Sequence, residues 1–176
     1  LMRHRHTTPF EMVEFKYHCK MPIFVARQWV RHRTANINEY SLRYSEARDE
    51  FYYPDPKNIQ FQSALNKQGR LGEVSDELKK KVSKYFKEIS DRSFEIYSEL
   101  NNAGVARELA RAILPVNLYT EWYWKNDLHN LLHFIGLRSD NHAQYEIRVF
   151  SDAMAQSVKE VAPFAWEAYQ DYVVSG

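Results

Sequence analysis

One stretch constrains the fold more than any other, the pattern between residues 76 and 103. Leu78, Val82, Tyr85, Phe86, Ile89, Phe94, Tyr97 and Leu100 recur there at spacings of three and four. That period describes a helix with a single apolar stripe. Lys79, Lys80, Lys81, Lys84 and Lys87 take the other face, which reads as solvated surface, and Gly104 is a suitable stop. Two other stretches alternate instead. Val13, Phe15, Tyr17 and Cys19 interleave with Glu14, Lys16, His18 and Lys20. Val116, Leu118, Thr120, Trp122 and Trp124 fall on one side of residues 116–125. Period two is a half-buried strand. Long helices around few strands predict an α+β fold, with a central, mostly antiparallel sheet flanked by helices.

The remaining elements follow from local signals. Pro22 opens a helix read to about Arg33, because its missing N–H costs nothing in a first turn. Asn36-Ile37-Asn38 then reads as a turn, and an extended chain beyond it would point Glu39, Ser41 and Arg43 to one side. Phe51-Tyr52-Tyr53 ends in a turn at Pro54 and Pro56, and the polar residues 57–75 read as a surface loop. A short helix runs from Val105 to Leu114 with Arg107 and Arg111 on one face, one of them available for an ion pair with Glu108 or Glu11. Asn126 or Asp127 caps a helix carrying Leu128, Leu131, Leu132 and Ile135. Gly136 ends it. A long helix from about Asp140 to Lys159 follows, interrupted at Pro163, with a last helical piece from Phe164 to Tyr172.

The chemistry concentrates between Arg27 and Tyr44. Arg27, Arg31, Arg33 and Arg43 against Glu39 give that stretch a charge of +3, while the whole chain carries only +1. The guanidiniums are therefore gathered rather than spread, and fixed forks suit phosphates and planar carbonyls. A carboxylate with a hydroxyl suits sugar hydroxyls or base edges. The same cluster, set among aromatics, would also serve a nucleic-acid-binding module built on Arg31-His32-Arg33. Ser41 has no visible histidine–carboxylate relay, so it reads as a binding hydroxyl rather than a nucleophile. His129 and His133 lie four apart on one helix face. That spacing is also open to zinc, although Asn130 stands where the metalloprotease motif has Glu. Cys19, the one cysteine, sits on the apolar side of its strand, which suits a structural thiol.

Arg31-His32-Arg33, seven residues and then Ser41 resemble the signature of the flavin-dependent thymidylate synthases. His6-x-Thr8-Pro9-Phe10-Glu11 and Pro22-Ile23-Phe24-Val25-Ala26-Arg27-Gln28-Trp29 are similar to that family's upstream motifs. Arg107-Glu108-x-Ala110-Arg111-x-x-Leu114-Pro115 and Leu137-Arg138-x-x-x-His142-Ala143-Gln144 resemble its downstream ones. Five motifs in register, covering nearly the whole chain, imply the following. Residues 1–176 form a single flavin-dependent thymidylate synthase domain that lacks an N-terminal strand and helix. Gln28, Arg31, Glu39, Ser41, Arg43, Arg111 and Arg138 bind deoxyuridine monophosphate (dUMP), and Arg138 is the activating residue. Thr8, Arg31, His32, Arg33, Glu39, Asp127, His129 and His133 bind FAD. Some relatives carry Asn where this chain has Asp127 and His133, and Asn36 stands where many have Ser. Methylenetetrahydrofolate and NADPH are the implied co-substrates, and the assembly is a homotetramer with shared active sites. The expected place is the cytoplasm, which one cysteine and the absence of a membrane-length apolar stretch suit.

Overall fold

The computed structural model describes residues 1–64 and 69–175. Its architecture is α+β, with antiparallel sheet and long helices. Among the described residues the strands are β1 (Glu14–Pro22), β2 (Asn36–Glu39), β3 (Gln60–Gln62), β4 (Arg70–Glu73) and β5 (Tyr119–Asp127). The helices are α1 (Thr8–Glu11), α2 (Ile23–Trp29), α3 (Asp76–Asn102), α4 (Arg107–Ala110), α5 (Leu128–Arg138), α6 (Tyr145–Val161) and α7 (Pro163–Tyr169). One sheet has the order β1-β5-β2, and β3 pairs with β4 in a separate antiparallel hairpin. The chain divides into two contact units. The first holds residues 1–17, 31–37 and 123–176, and the second holds 18–30 and 38–122.

In the first unit, α5 packs on α6, and α6 on α7. Leu128, Leu131, Leu132, Phe134 and Ile135 are buried along α5. Ile147, Met154 and Val158 are buried along α6. The start of α5 is sharply specified, because the Asp127 carboxylate accepts from the Asn130 backbone N–H at 2.9 Å, an N-cap bond. α6 begins later than its apolar stripe implies. Asp140 accepts from the His142 backbone N–H at 2.7 Å, and that local turn competes with helix until Tyr145. α6 ends at Val161 and α7 begins at Pro163, where proline is tolerated in a first turn.

In the second unit, Ala47, Phe51, Tyr97, Ala110 and Leu118 form a buried cluster, with Phe94, Leu100 and Leu114 against it. α3 has the length the periodicity predicts, capped by Ser75, whose hydroxyl accepts from the Leu78 N–H. Its C-terminal half buries Tyr97, while Tyr85 and Ile89 are more than half exposed. Among the described residues of 57–75 there is more order than a loop, since β3 and β4 pair there. Residues 65–68 of that expected loop lie outside the described residues.

Three expectations around the arginine cluster need correction. The helix after Pro22 stops at Trp29, not Arg33, and Pro22 itself is the N-cap at the end of β1. Asn36–Asn38 is strand, because pairing in the sheet satisfies its backbone and outweighs the turn preference of asparagine. In turn, residues 41–45 are not extended. The Ser45 N–H donates to the Ser41 carbonyl at 3.1 Å, which closes a turn. Val116 precedes β5 and is exposed, whereas Thr120, Trp122 and Trp124 are buried as the alternation predicts.

Candidate functional site

The two contact units divide the candidate residues almost as their expected roles do. Thr8, Arg31, His32, Arg33, Asp127, His129, His133 and Arg138 belong to the first unit. Gln28, Glu39, Ser41, Arg43 and Arg111 belong to the second. The expected flavin set is thus in the first unit except for Glu39, and the expected nucleotide set is in the second except for Arg31 and Arg138.

In the first unit the central contact joins the turn after α2 to the last residue of α5. Arg138 Nε donates to His32 Nε2 at 2.9 Å. A guanidinium has only donors, so Nε2 must offer its lone pair and the proton sits on Nδ1. The ring stacks edge-on against Phe134 at 4.8 Å between centroids and lies 6.3 Å from the His133 ring. Burial, Arg138 and His133 push the His32 pKa down to about 4 from 6.5. Burial also lowers the Arg138 pKa from its ordinary value, yet a guanidinium remains charged. The pair therefore holds a cation beside a neutral imidazole, with the terminal guanidinium nitrogens not engaged by that bond.

α5 presents a second face. His129 and His133, one turn apart, line a cavity of about 600 Å³ with Arg3, Arg5, Phe10 and Tyr169. Leu132 and Gly136 complete that wall. No acidic side chain lines the cavity among the described residues. A Cβ on Gly136 would meet the Tyr169 hydroxyl at 2.8 Å, so glycine keeps the approach of α7 to α5. Arg5 holds a left-handed backbone, φ 57° and ψ 35°, uncommon for a residue with a side chain. Thr7, rather than Thr8, lines the cavity; Thr8 is exposed at the start of α1. Arg31 and Arg33 are exposed in the turn after α2.

In the second unit Glu39 accepts from the Thr120 hydroxyl at 2.7 Å, which ties β2 to β5. Gln28 is half-buried on α2, and its Oε1 has no hydrogen-bond partner among the described residues. The Ser41 hydroxyl accepts from the Arg43 backbone N–H at 3.3 Å. Arg43 pairs with Glu108 at 3.1 Å, and Arg111 Nε reaches the Glu108 carbonyl at 3.4 Å, so α4 brings those two guanidiniums to one residue. Arg107 turns to Glu46 at 2.9 Å and to the Tyr44 carbonyl at 3.1 Å. Neither Glu108 nor Glu11 is its partner in these contacts. The sequence marks Thr120 only as an inward strand residue and Glu46 not at all, since only the pairing of distant segments gives them these partners. Cys19 is buried in β1, and burial pushes its thiol up to about 12.

The thymidylate synthase complementing protein family model matches residues 1–164. A flavin-dependent thymidylate synthase of Rickettsia conorii is 52% identical over all of this chain and 64% of its own length. One from Ruegeria pomeroyi is 53% identical over 98% of this chain and 58% of its own length. The chain thus spans about three fifths of the length of these curated relatives. Among solved structures, a UMP/dUMP methylase from Streptomyces cacaoi with 5-bromo-UMP bound is similar at a TM-score of 0.92. It is 32% identical, over 98% of this chain and 80% of that one. With the motifs in order and the fold in agreement, the chain belongs to the flavin-dependent thymidylate synthase family.

Proposed function

We propose that this protein makes dTMP from dUMP, with methylenetetrahydrofolate as the carbon donor and without a cysteine nucleophile. Carbon 5 of uracil is a poor nucleophile until electron density is pushed into the ring. A positive group at a ring carbonyl favours that redistribution, and fixed charge in a dry site does so at little reorganisation cost. Arg138 fits this role. His32 accepts from its Nε and fixes the plane of the fork, so the terminal nitrogens meet the pyrimidine in one orientation. Neutral His32 adds no competing charge. The observation that carries the reading is this bond, 2.9 Å long, between a partly buried guanidinium and an imidazole held neutral.

The residues at hand fit an anionic, partly aromatic cofactor. Cavities of a few hundred Å³ suit such groups, and this one combines an apolar wall at Leu132 and Phe10 with the cations Arg3 and Arg5. His129 and His133 would hold FAD there, with Thr8, Arg31, His32, Arg33, Glu39 and Asp127 contributing from their own positions. Held there, the flavin would supply hydride chemistry for reducing the transferred one-carbon unit, with NADPH as the source of its electrons. Gln28, Glu39, Ser41, Arg43 and Arg111 would bind the nucleotide, Arg43 and Arg111 at its phosphate. A homotetramer would let one subunit's nucleotide residues serve another's flavin residues. The chain's one thiol supports the cysteine-free route, because a buried group so hard to ionise is a poor nucleophile.

The test is an absorbance spectrum of purified protein with and without dUMP, followed by turnover with methylenetetrahydrofolate and NADPH. A flavin band perturbed by dUMP, and dTMP formation dependent on both co-substrates, are expected. Colourless protein with steeply salt-dependent polynucleotide binding would replace this reading with the nucleic-acid one.

A further inference from the structure

The turn carrying Ser41 and Arg43 is short of internal support. Among the described residues its own hydrogen bonds run from the Arg43 N–H to the Ser41 hydroxyl, and from the Tyr44 and Ser45 N–H groups to the Ser41 carbonyl. Beyond it, the Tyr40 hydroxyl donates to the Glu46 carbonyl at 3.1 Å, and Ala47 N–H donates to the buried Tyr97 hydroxyl at 2.8 Å. Between these anchors Arg107 reaches the turn from α4.

Arg107 uses two nitrogens at once. Nη1 donates to the Tyr44 carbonyl, one residue past Arg43, and Nη2 pairs with the Glu46 carboxylate. The next residue of α4, Glu108, holds the Arg43 guanidinium itself. α4 therefore grips both sides of the turn through two adjacent side chains of opposite charge. Both pairs are exposed, with Arg107 46% and Glu46 62% accessible. Exposed ion pairs add little to folding stability. A planar fork bound to a carbonyl and a carboxylate does, however, fix a direction, and a single ammonium could not make both bonds with that geometry.

We infer that Arg107 is a positioning residue for the nucleotide end of the site: by clamping Tyr44 and Glu46 it sets where Ser41 and Arg43 stand when substrate arrives. This rests on the reading of Ser41 and Arg43 as dUMP-binding residues. Arg107 touches no reacting atom in this scheme. Its loss should loosen substrate binding while leaving the flavin and the chemical step in place.

The experiment compares wild type with Arg107→Ala, Arg107→Lys and Glu46→Gln in the purified flavoprotein. Initial rates are measured against dUMP, together with flavin content and the thermal midpoint. Arg107→Ala should raise KM for dUMP about tenfold with kcat within about twofold, the pattern of lost binding rather than lost transition-state stabilisation. Flavin content should be unchanged, and the thermal midpoint should move by no more than about 3 °C. Arg107→Lys should recover part of the KM, and Glu46→Gln should raise it by less than Arg107→Ala. An unchanged KM in Arg107→Ala overturns the inference. So does loss of flavin with a large fall in thermal midpoint, or a lysine variant no better than alanine. Wild type without flavin absorbance or dTMP formation would instead defeat the functional reading beneath it.

Discussion

Acidification should unfold this protein partly through one imidazole. His32 is half-buried and neutral beside Arg138 and His133, and its pKa falls to about 4 from 6.5. Between those two values the unfolded chain binds a proton there that the folded chain refuses. Stability is then fully present above pH 6.5 and falls as pH drops toward 4; below 4 both states are protonated and the slope from this group vanishes. At about 1.36 kcal/mol per pH unit, the span sets a ceiling of about 3.4 kcal/mol. His32 is only partly buried, so water screens the Arg138 charge and the effect reduces to about 1–2 kcal/mol. The perturbation is His32→Gln, which keeps an acceptor for Arg138 Nε but cannot titrate. Urea midpoints of both proteins would be measured at several pH values from 7.5 to 4.5. Carboxylates titrate alike in the two, so their contribution cancels. Wild type should lose about 1–2 kcal/mol more than the variant over that range. Parallel curves, or a His32 ring resonance with its midpoint at 6.5 or above, would refute the argument.

Other expectations are simpler. Gly136→Ala forces a Cβ within 2.8 Å of the Tyr169 hydroxyl; overpacking of this kind costs about 1–3 kcal/mol and outweighs a helix gain of about 1. In a Tyr169→Phe background the same change should become neutral or stabilising, and equal effects in both backgrounds would remove the clash as the cause. Arg138→Ala should keep its flavin spectrum but lose turnover by about 10²-fold or more, as when a charge-stabilising donor is removed; near-normal turnover would end its proposed role. Cys19→Ser should retain dTMP formation and lose about 1–3 kcal/mol of stability from burying a hydroxyl. Folded, flavin-loaded protein with no activity would contradict the cysteine-free mechanism.

The clearest elements in the sequence were those whose pattern is local. α3 follows from its three-and-four spacing, with Gly104 past its end, while its Ser75 cap was shown by the structure. β1 follows from the alternation through Cys19, and the start of α5 from a cap at Asn126 or Asp127, of which the structure uses Asp127. The arginine cluster was legible as chemistry but not as geometry. Asn36–Asn38 carries a turn-forming composition and is strand because a neighbour supplies its hydrogen bonds. Arg107 has Glu108 beside it in sequence and pairs with Glu46 instead, because the turn at 41–45 brings that carboxylate within reach.

Sequence alone determined the family, the strongly periodic elements α3 and β1, and which residue types could serve a phosphate, a planar ring and a developing negative charge, because motif order and side-chain periodicity are written along one dimension. The tertiary structure decided that His32 meets Arg138 across 106 positions, that His129 and His133 face a cavity, and that the turn at 41–45 is held by α4. Those depend on which distant segments are packed together, and burial, charge neighbours and tautomer follow from that packing rather than from the residues' own chemistry.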